Sequence, residues 1–253
     1  MKRAMAHRAG GKERSGLLRG GAFSATARND RGGSFAGRTP LLFTALTGFW
    51  VVLSALPILF WSKGEIHLFI NRFHVPAADI FFAWITNLGD GWSIVVLVLV
   101  LVLFSYRAAL EMAVANILTG IASQALKRTV FSDVVRPSRF FETAAQLHTV
   151  PDVQLYAYQS FPSGHSATVF TTCTVLSFLW GSTRNQAGFW FVAVLVAFSR
   201  VYLSEHFLQD ACGGSLLGFI IGFGTSEVFR RWTDGIPEGH WLRGSVLRRG
   251  PAV

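Results

Sequence analysis

Residues 41–61 read LLFTALTGFWVVLSALPILFW, 21 positions without a charge. Wound as an α-helix at 1.5 Å per residue, that segment is about 31 Å long, enough to cross the hydrocarbon core of a bilayer. Pro57 stands near its far end, where it kinks the helix rather than ending it. The rest of the chain agrees with a membrane as solvent. Hydrophobic residues make up 51% of the 253, mean hydropathy is +0.41, and 23 Phe and 8 Trp are present. A water-soluble body of this size cannot hide so much apolar side chain.

Working outward, residues 1–38 hold nine basic residues among Arg, Gly and Ser, with no apolar run of the kind that precedes signal cleavage. Residues 1–39 are therefore expected to be a basic, disordered N-terminal tail. On the other side, Lys63 to Asp90 mixes apolar clusters with Arg72, His74, Pro76 and Asp79, which predicts short helices lying at the interface. Gly91 to Tyr106 follows as a span that borrows residues from a flank, then Ala108 to Leu126, Ser163 to Trp180, Ala187 to Tyr202 and Phe207 to Phe229. The last carries Gly214, Gly218 and Gly222 at four-residue spacing, a face suited to close helix packing. The expected fold class is all-α, a polytopic bundle of six transmembrane helices over residues 40–230, with a basic tail over 231–253.

Six spans put both termini on one side. Charge placement agrees: the two tails, Arg107 and Arg184 contribute 16 basic residues there, against seven on the opposite side. In a bacterium this arrangement predicts an inner-membrane protein whose polar connections face the periplasm. The net charge of +9 is concentrated in the tails flanking apolar spans, which points to anionic lipid and excludes nucleic acid as a partner. Cys173 and Cys212 each sit inside an apolar run without metal or redox spacing and read as buried small hydrophobes.

Topology gathers the polar residues. The third span ends at Lys127 and Arg128, and Arg136-Pro137 follows; the fourth opens with Pro162-Ser163-Gly164-His165; the fifth ends at Ser199-Arg200; the sixth opens with His206 and Asp210. Charge at a membrane edge is costly without a function. Arginine presents a planar fork of donors that fits phosphate oxygens, and lysine a compact positive charge. Ser163 and Gly164 at a helix start present backbone amides and a favourable dipole to an anion. His206 and Asp210, four apart, are expected on one helical face, where the carboxylate orients one ring nitrogen and leaves the other free to attack phosphorus. His165 is the second imidazole, placed to protonate a leaving alkoxide.

These blocks resemble the type 2 phosphatidic acid phosphatases, which share a fold with vanadium-dependent haloperoxidases. The family's third block, Ser-Arg, five residues, His, three residues, Asp, is matched by Ser199, Arg200, His206 and Asp210, and its Pro-Ser-Gly-His block by Pro162 to His165. The first block usually runs Lys, six residues, Arg-Pro. Here eight residues separate Lys127 from Arg136, so Arg128 competes for the lysine position; Lys127 is favoured because a loop accommodates the two extra residues. The resemblance implies that His206 forms a phosphohistidine with Asp210 orienting it, that His165 is the general acid, and that Lys127, Arg136, Ser163, Gly164 and Arg200 hold the phosphate. It implies no cofactor and no metal, and a phosphorylated lipid as substrate: phosphatidic acid, phosphatidylglycerophosphate, a polyprenyl pyrophosphate or lipid A. A lipid phosphotransferase using the same histidine, or a non-catalytic lipid-binding or transport protein, are the rival readings.

Other polar residues read more plainly. His67, His74, His148 and His240 are expected as interfacial side chains, Arg72 and Arg139 as lipid anchors, and Glu111 as a packing partner. Glu205 neighbours His206 but points about 100° of helix rotation away from it, and is left out of the site. Neither HExxH nor zinc-type Cys/His spacing occurs.

Overall fold

The structure, a computed structural model, describes residues 39–142, 147–237 and 240–247. Nearly all of the expected N-terminal tail, residues 1–38, lies outside the described residues. The helices are α1 (Leu41–Phe60), α2 (Lys63–Asn71), α3 (Pro76–Ile85), α4 (Gly91–Phe104), α5 (Tyr106–Thr129), α6 (Pro137–Phe140), α7 (Gly164–Leu179), α8 (Thr183–Tyr202) and α9 (Leu208–Asp234). A 3₁₀ turn, Thr86–Gly89, joins α3 to α4, and another covers Trp241–Arg243.

Short polar residues set the helix starts. Ser62 and Glu65 form a reciprocal capping box on α2; Asp90, Ser105, Ser163 and Ser182 accept backbone N–H groups at the starts of α4, α5, α7 and α8. Pro76 opens α3, where its missing N–H costs nothing.

Helix α7 is the axis of the bundle. It packs against α9, α8 and α5, and 11 of its 16 residues are buried. Phe43 and Trp50 of α1 meet Phe170 and Cys173 of α7 and Val196 and Ala197 of α8 in one apolar core. Met112 and Ala115 of α5 meet Leu101 of α4 and Val175 of α7 in another. The glycine face of α9 lies against the α7 backbone as expected. A Cβ at Gly214 would come within 2.3 Å of the Ser163 carbonyl, and one at Gly218 within 2.1 Å of the Ala167 carbonyl. Only hydrogen fits there. Thr171 seals the contact by donating to the Gly218 carbonyl at 3.0 Å.

The expectation of six spans is corrected. Among the described residues three helices, α1, α5 and α9, are long and apolar enough to cross a membrane. A fourth span arises if α3 with its 3₁₀ turn and α4, bent by 57°, count as one broken crossing. Residues expected to lie at the interface thus supply the flank that α4 borrows. Helix α7 is short and rich in Ser and Thr because protein, not lipid, surrounds it; α8 opens with Thr183, Arg184, Asn185 and Gln186. Helix α9 runs past the expected domain end at residue 230 to Asp234. Part of the expected C-terminal tail folds back, with Leu242 buried, the Gly244 carbonyl accepting from the Tyr106 amide at 3.1 Å and the Leu247 amide donating to Leu103 at 3.1 Å.

Candidate active site

At one end of the bundle α5 stops, α7 starts, α8 stops and α9 starts. The connections between them, residues 130–163 and 203–207, bring their charged side chains together. Lys127 sits in the last turn of α5 and is buried, within electrostatic reach of Arg136, Asp210, Arg200 and Glu205. Its neighbour Arg128 points outward and is exposed. Arg136 stands at the start of α6, and its loop is clamped by the Arg136 amide donating to Ala157 and the Ser160 amide donating to Val134, both at 2.9 Å. Its guanidinium donates to the Tyr158 carbonyl at 3.0 Å and lies 5.2 Å from the Tyr156 ring centre. Arg200, in the last turn of α8, donates to Thr86 Oγ1 at 2.8 Å, and its Nε is buried without a protein partner.

The Pro-Ser-Gly-His block is stitched to the last block through backbone, the Ser163 amide donating to the Asp210 carbonyl at 2.9 Å. That amide is therefore engaged, and the amides the helix start has left for an anion are those of Gly164 and His165. Ser163 Oγ accepts from the Ser166 hydroxyl at 2.9 Å and the Ser166 amide at 3.4 Å, so its own proton is left to donate. His165, in the first turn of α7, lies within electrostatic reach of Arg200, His206, Lys127 and Arg136.

The expected helical pairing of His206 and Asp210 is corrected. Residues 203–207 are not helical, and His206 lies two residues before α9 begins. Ser204 takes a left-handed backbone (φ 58°), a conformation that costs a non-glycine residue energy and needs support. Its buried hydroxyl has that support, lying 3.2 Å from both His67 Nε2 and Asn71 Nδ2 of α2. The Glu205 and His206 amides both donate to the Arg200 carbonyl, at 3.1 and 3.0 Å. This turn delivers His206 Nδ1 to 3.6 Å from Asp210 Oδ2, in ion-pair range but beyond a hydrogen bond. Oδ2 instead accepts from the Ser160 hydroxyl and from the Phe207 amide at 2.9 Å.

Burial, then the nearby Arg136, Arg200 and Lys127, hold the His206 imidazole well below its ordinary range of proton affinity. A neutral ring is what a nucleophile needs. Burial likewise lowers the Arg136 guanidinium, opposed chiefly by Glu205. His206 and Asp210 are almost wholly enclosed, and Lys127, Arg136 and Arg200 are each less than a tenth exposed.

Glu205 is the residue that sequence reasoning missed. Its Oε2 lies 2.7 Å from Arg136 and 3.2 Å from Arg200, bridging the two guanidiniums while 4% exposed. The helical-wheel argument failed because there is no helix at residue 205. A signal was present: a carboxylate beside His206 at a membrane edge needs a cation, and the candidate cage supplies several. Ser160 and the supporting Asn71 carried no sequence signal. His67 is a buried core residue stacked on Phe141 rather than interfacial. His74 and His148 stack at 3.5 Å, with His148 Nε2 3.0 Å from Asp79. Among the described residues no group of three or more His, Cys, Asp or Glu is placed to hold a metal ion.

Known proteins resemble this chain. The profile of the PAP2 superfamily matches residues 108–234. The chain is 24% identical over 194 residues to the lipid A 4'-phosphatase of Porphyromonas gingivalis, covering 70% of this chain and 79% of that protein. The crystal structure of Aquifex aeolicus LpxE superimposes with a TM-score of 0.55 at 30% identity, over 64% of this chain and 93% of that one. The first transmembrane PAP2 type phosphatidylglycerolphosphate phosphatase from Bacillus subtilis gives a TM-score of 0.54 at 23% identity, over 80% and 99%, a likeness of fold alone.

Proposed function

The chain belongs to the PAP2 superfamily and is a membrane lipid phosphatase, and from that premise we propose that it works through a phosphohistidine on His206. One observation carries the reading. Three buried cations, Lys127, Arg136 and Arg200, converge on two imidazoles and a carboxylate at one end of an apolar bundle. Phosphoryl transfer asks mainly for charge stabilisation and positioning, which such a cage supplies without a metal ion.

In this reading the lipid keeps its tails in the bilayer and its phosphate enters the cage. Lys127, Arg136, Arg200, the Ser163 hydroxyl and the Gly164 amide hold the phosphate oxygens. Nδ1 of His206 faces Asp210, so Nε2 attacks phosphorus. Burial and the cage cations lower the His165 imidazole to about 2. The negative charge of the bound phosphate offsets those cations, so the ring takes a proton from solvent and gives it to the departing oxygen as the P–O bond to the lipid breaks. Water then attacks the phosphohistidine while His165 takes a proton back, the P–N bond breaks, and inorganic phosphate leaves. Asp210 orients the ring and steadies the charge that develops on it. The sequence count of basic residues, 16 in the two tails with Arg107 and Arg184 against seven in the other connections, supports a cage facing away from the cytoplasm, the periplasmic side of the inner membrane in a bacterium.

The test is phosphate release, with chelator present, from phosphatidic acid, phosphatidylglycerophosphate, lipid A and a prenyl pyrophosphate. Wild type is expected to release phosphate from at least one, and His206→Ala to lower the rate by about a thousandfold or more. Full activity in His206→Ala sinks the nucleophile assignment. Transfer of the phosphate to a second lipid, with none free, identifies a phosphotransferase instead.

A further inference from the structure

Beside His165 the structure has a cavity of about 160 Å³ between the start of α4, α5 and α7. It shares a wall with the cage. The 3₁₀ turn Thr86–Gly89 holds Arg200 through Thr86 at 2.8 Å, and a Cβ on Gly89 would come within 3.0 Å of His165 Cβ. The walls stand back elsewhere: a Cβ on Gly91, Gly120 or Gly164 would meet nothing within 4 Å. Gly120 and Gln124 are exposed on α5 beside the outward-facing Ile117 and Ile121, so the mouth of the cavity faces lipid.

The lining has a definite chemistry. Asp90, Ser123, Gln124 and Thr168 present a carboxylate, an amide and two hydroxyls, and neither Lys nor Arg lines the cavity. Ser123 is 4% exposed, and its hydroxyl has no hydrogen-bond partner within the protein. Buried polar groups are nearly always partnered, so an orphan hydroxyl on a cavity wall marks a place where a ligand group completes the set. Donors and acceptors without a cation suit hydroxyl groups. Asp90 adds a negative charge to the lining, only partly offset by Arg200 within electrostatic reach, so a second phosphate would gain little there.

We propose that this cavity is the leaving-group pocket, and that it takes an uncharged hydroxylated alcohol, a glycerol or sugar unit, in preference to the second phosphate of a pyrophosphate. The proposal rests on the phosphatase reading, since His165 defines which side of the phosphorus the alcohol leaves from. The space lies well above the roughly 10–15 Å³ that admits a single water on this measure and leaves room for a polyol or sugar unit. It falls well below the ~300 Å³ at which pockets begin to enclose a whole drug-sized ligand. The acyl tails stay outside, past Gly120 and Gln124.

The experiment compares kcat/KM for phosphatidylglycerophosphate, lipid A and farnesyl pyrophosphate in wild type, Gln124→Lys and Asp90→Asn. Gln124 lies at the exposed rim, and Asn keeps the helix-capping ability of Asp90, so both variants should fold. Wild type is expected to favour at least one of the two hydroxylated lipids over the pyrophosphate by tenfold or more. Gln124→Lys, which sets a cation at the mouth, should shift the ratio about tenfold toward the pyrophosphate, and Asp90→Asn should shift it the same way by a smaller factor. A wild-type preference for the pyrophosphate, or ratios that neither variant moves, overturns the pocket assignment while leaving the phosphatase standing. Absence of phosphate release from these three and from phosphatidic acid overturns the phosphatase reading and the pocket with it, and release from phosphatidic acid alone overturns the pocket.

Discussion

Two glutamates, each shared by two arginines, stand at opposite ends of α9. Just before its start, Glu205 bridges Arg136 and Arg200 with side chains no more than 10% exposed. In its last turns Glu227 binds Arg230 at 2.6 Å and Arg231 at 2.9 Å, with the arginines 31% and 75% exposed. The chemical unit is the same and its consequence is not. Water screens the Glu227 cluster, and exposed pairs of this kind contribute little to stability. At Glu205 solvent is excluded, so each charge depends on its partner and truncating one leaves the others uncompensated. The buried unit also faces a site where an anion must come and go, which the exposed unit never does.

Glu205→Ala should lower stability by about 3–5 kcal/mol, the usual result of stripping one partner from a buried ion pair. It is read as a fall in the unfolding midpoint of the detergent-solubilised protein, and inorganic phosphate should restore part of the loss by supplying the missing anion. If phosphate restores nothing, the two guanidiniums are not an anion site. Glu205→Gln keeps the shape and removes the charge; inhibition by inorganic phosphate should then strengthen by roughly tenfold, about 1.4 kcal/mol of added anion binding. An unchanged inhibition constant would mean that the carboxylate does not compete with phosphate.

The third effect is on pH. Because the folded protein holds His206 neutral below the ordinary imidazole range of about 6.5, the proposed nucleophile stays competent as pH falls through that value. The acid limb of kcat/KM should therefore lie below pH 6.5. The same depression means that protons favour the unfolded chain there, so the contribution of this group to stability is present above pH 6.5 and is lost as pH drops. An acid limb at or above 6.5 belonging to His206 would contradict the buried, cation-lined environment. Smallest of all, Glu227→Ala should leave both activity and the unfolding midpoint at wild-type values, and raising salt should not separate the two proteins. A marked loss there would show that exposure does not distinguish the two ends.

Much of the site was legible because membrane chemistry is restrictive. Arg136, His165, Arg200, His206 and Asp210 are conspicuous when their surroundings are apolar, and helix ends are the places such residues can occupy. The glycine face of α9 was legible for a similar reason, since four-residue spacing of the smallest residue has few uses other than close approach. What failed were inferences that assumed regular geometry where there is none. The spacing of His206 and Asp210 fits a helix turn, yet a left-handed Ser204, held by His67 and Asn71 of α2, sets the ring in place from outside the helix. The count of crossings failed because short or partly polar stretches were counted as spans: α7 has only 16 residues, many of them Ser and Thr, and α8 opens on four polar or charged residues.

The sequence by itself determined a helical membrane bundle, the order of its polar blocks and the local pairing of Glu227 with Arg230 and Arg231, because neighbours three and four apart on a helix must meet. Only the tertiary structure decided that Glu205 closes a bridge to Arg136, 69 positions away. Burial then turned an ordinary pair of charges into a mutual dependence. Spacing along the chain carries no information about which distant loop will exclude water from a side chain, and the strength of a charge–charge contact is set by that exclusion.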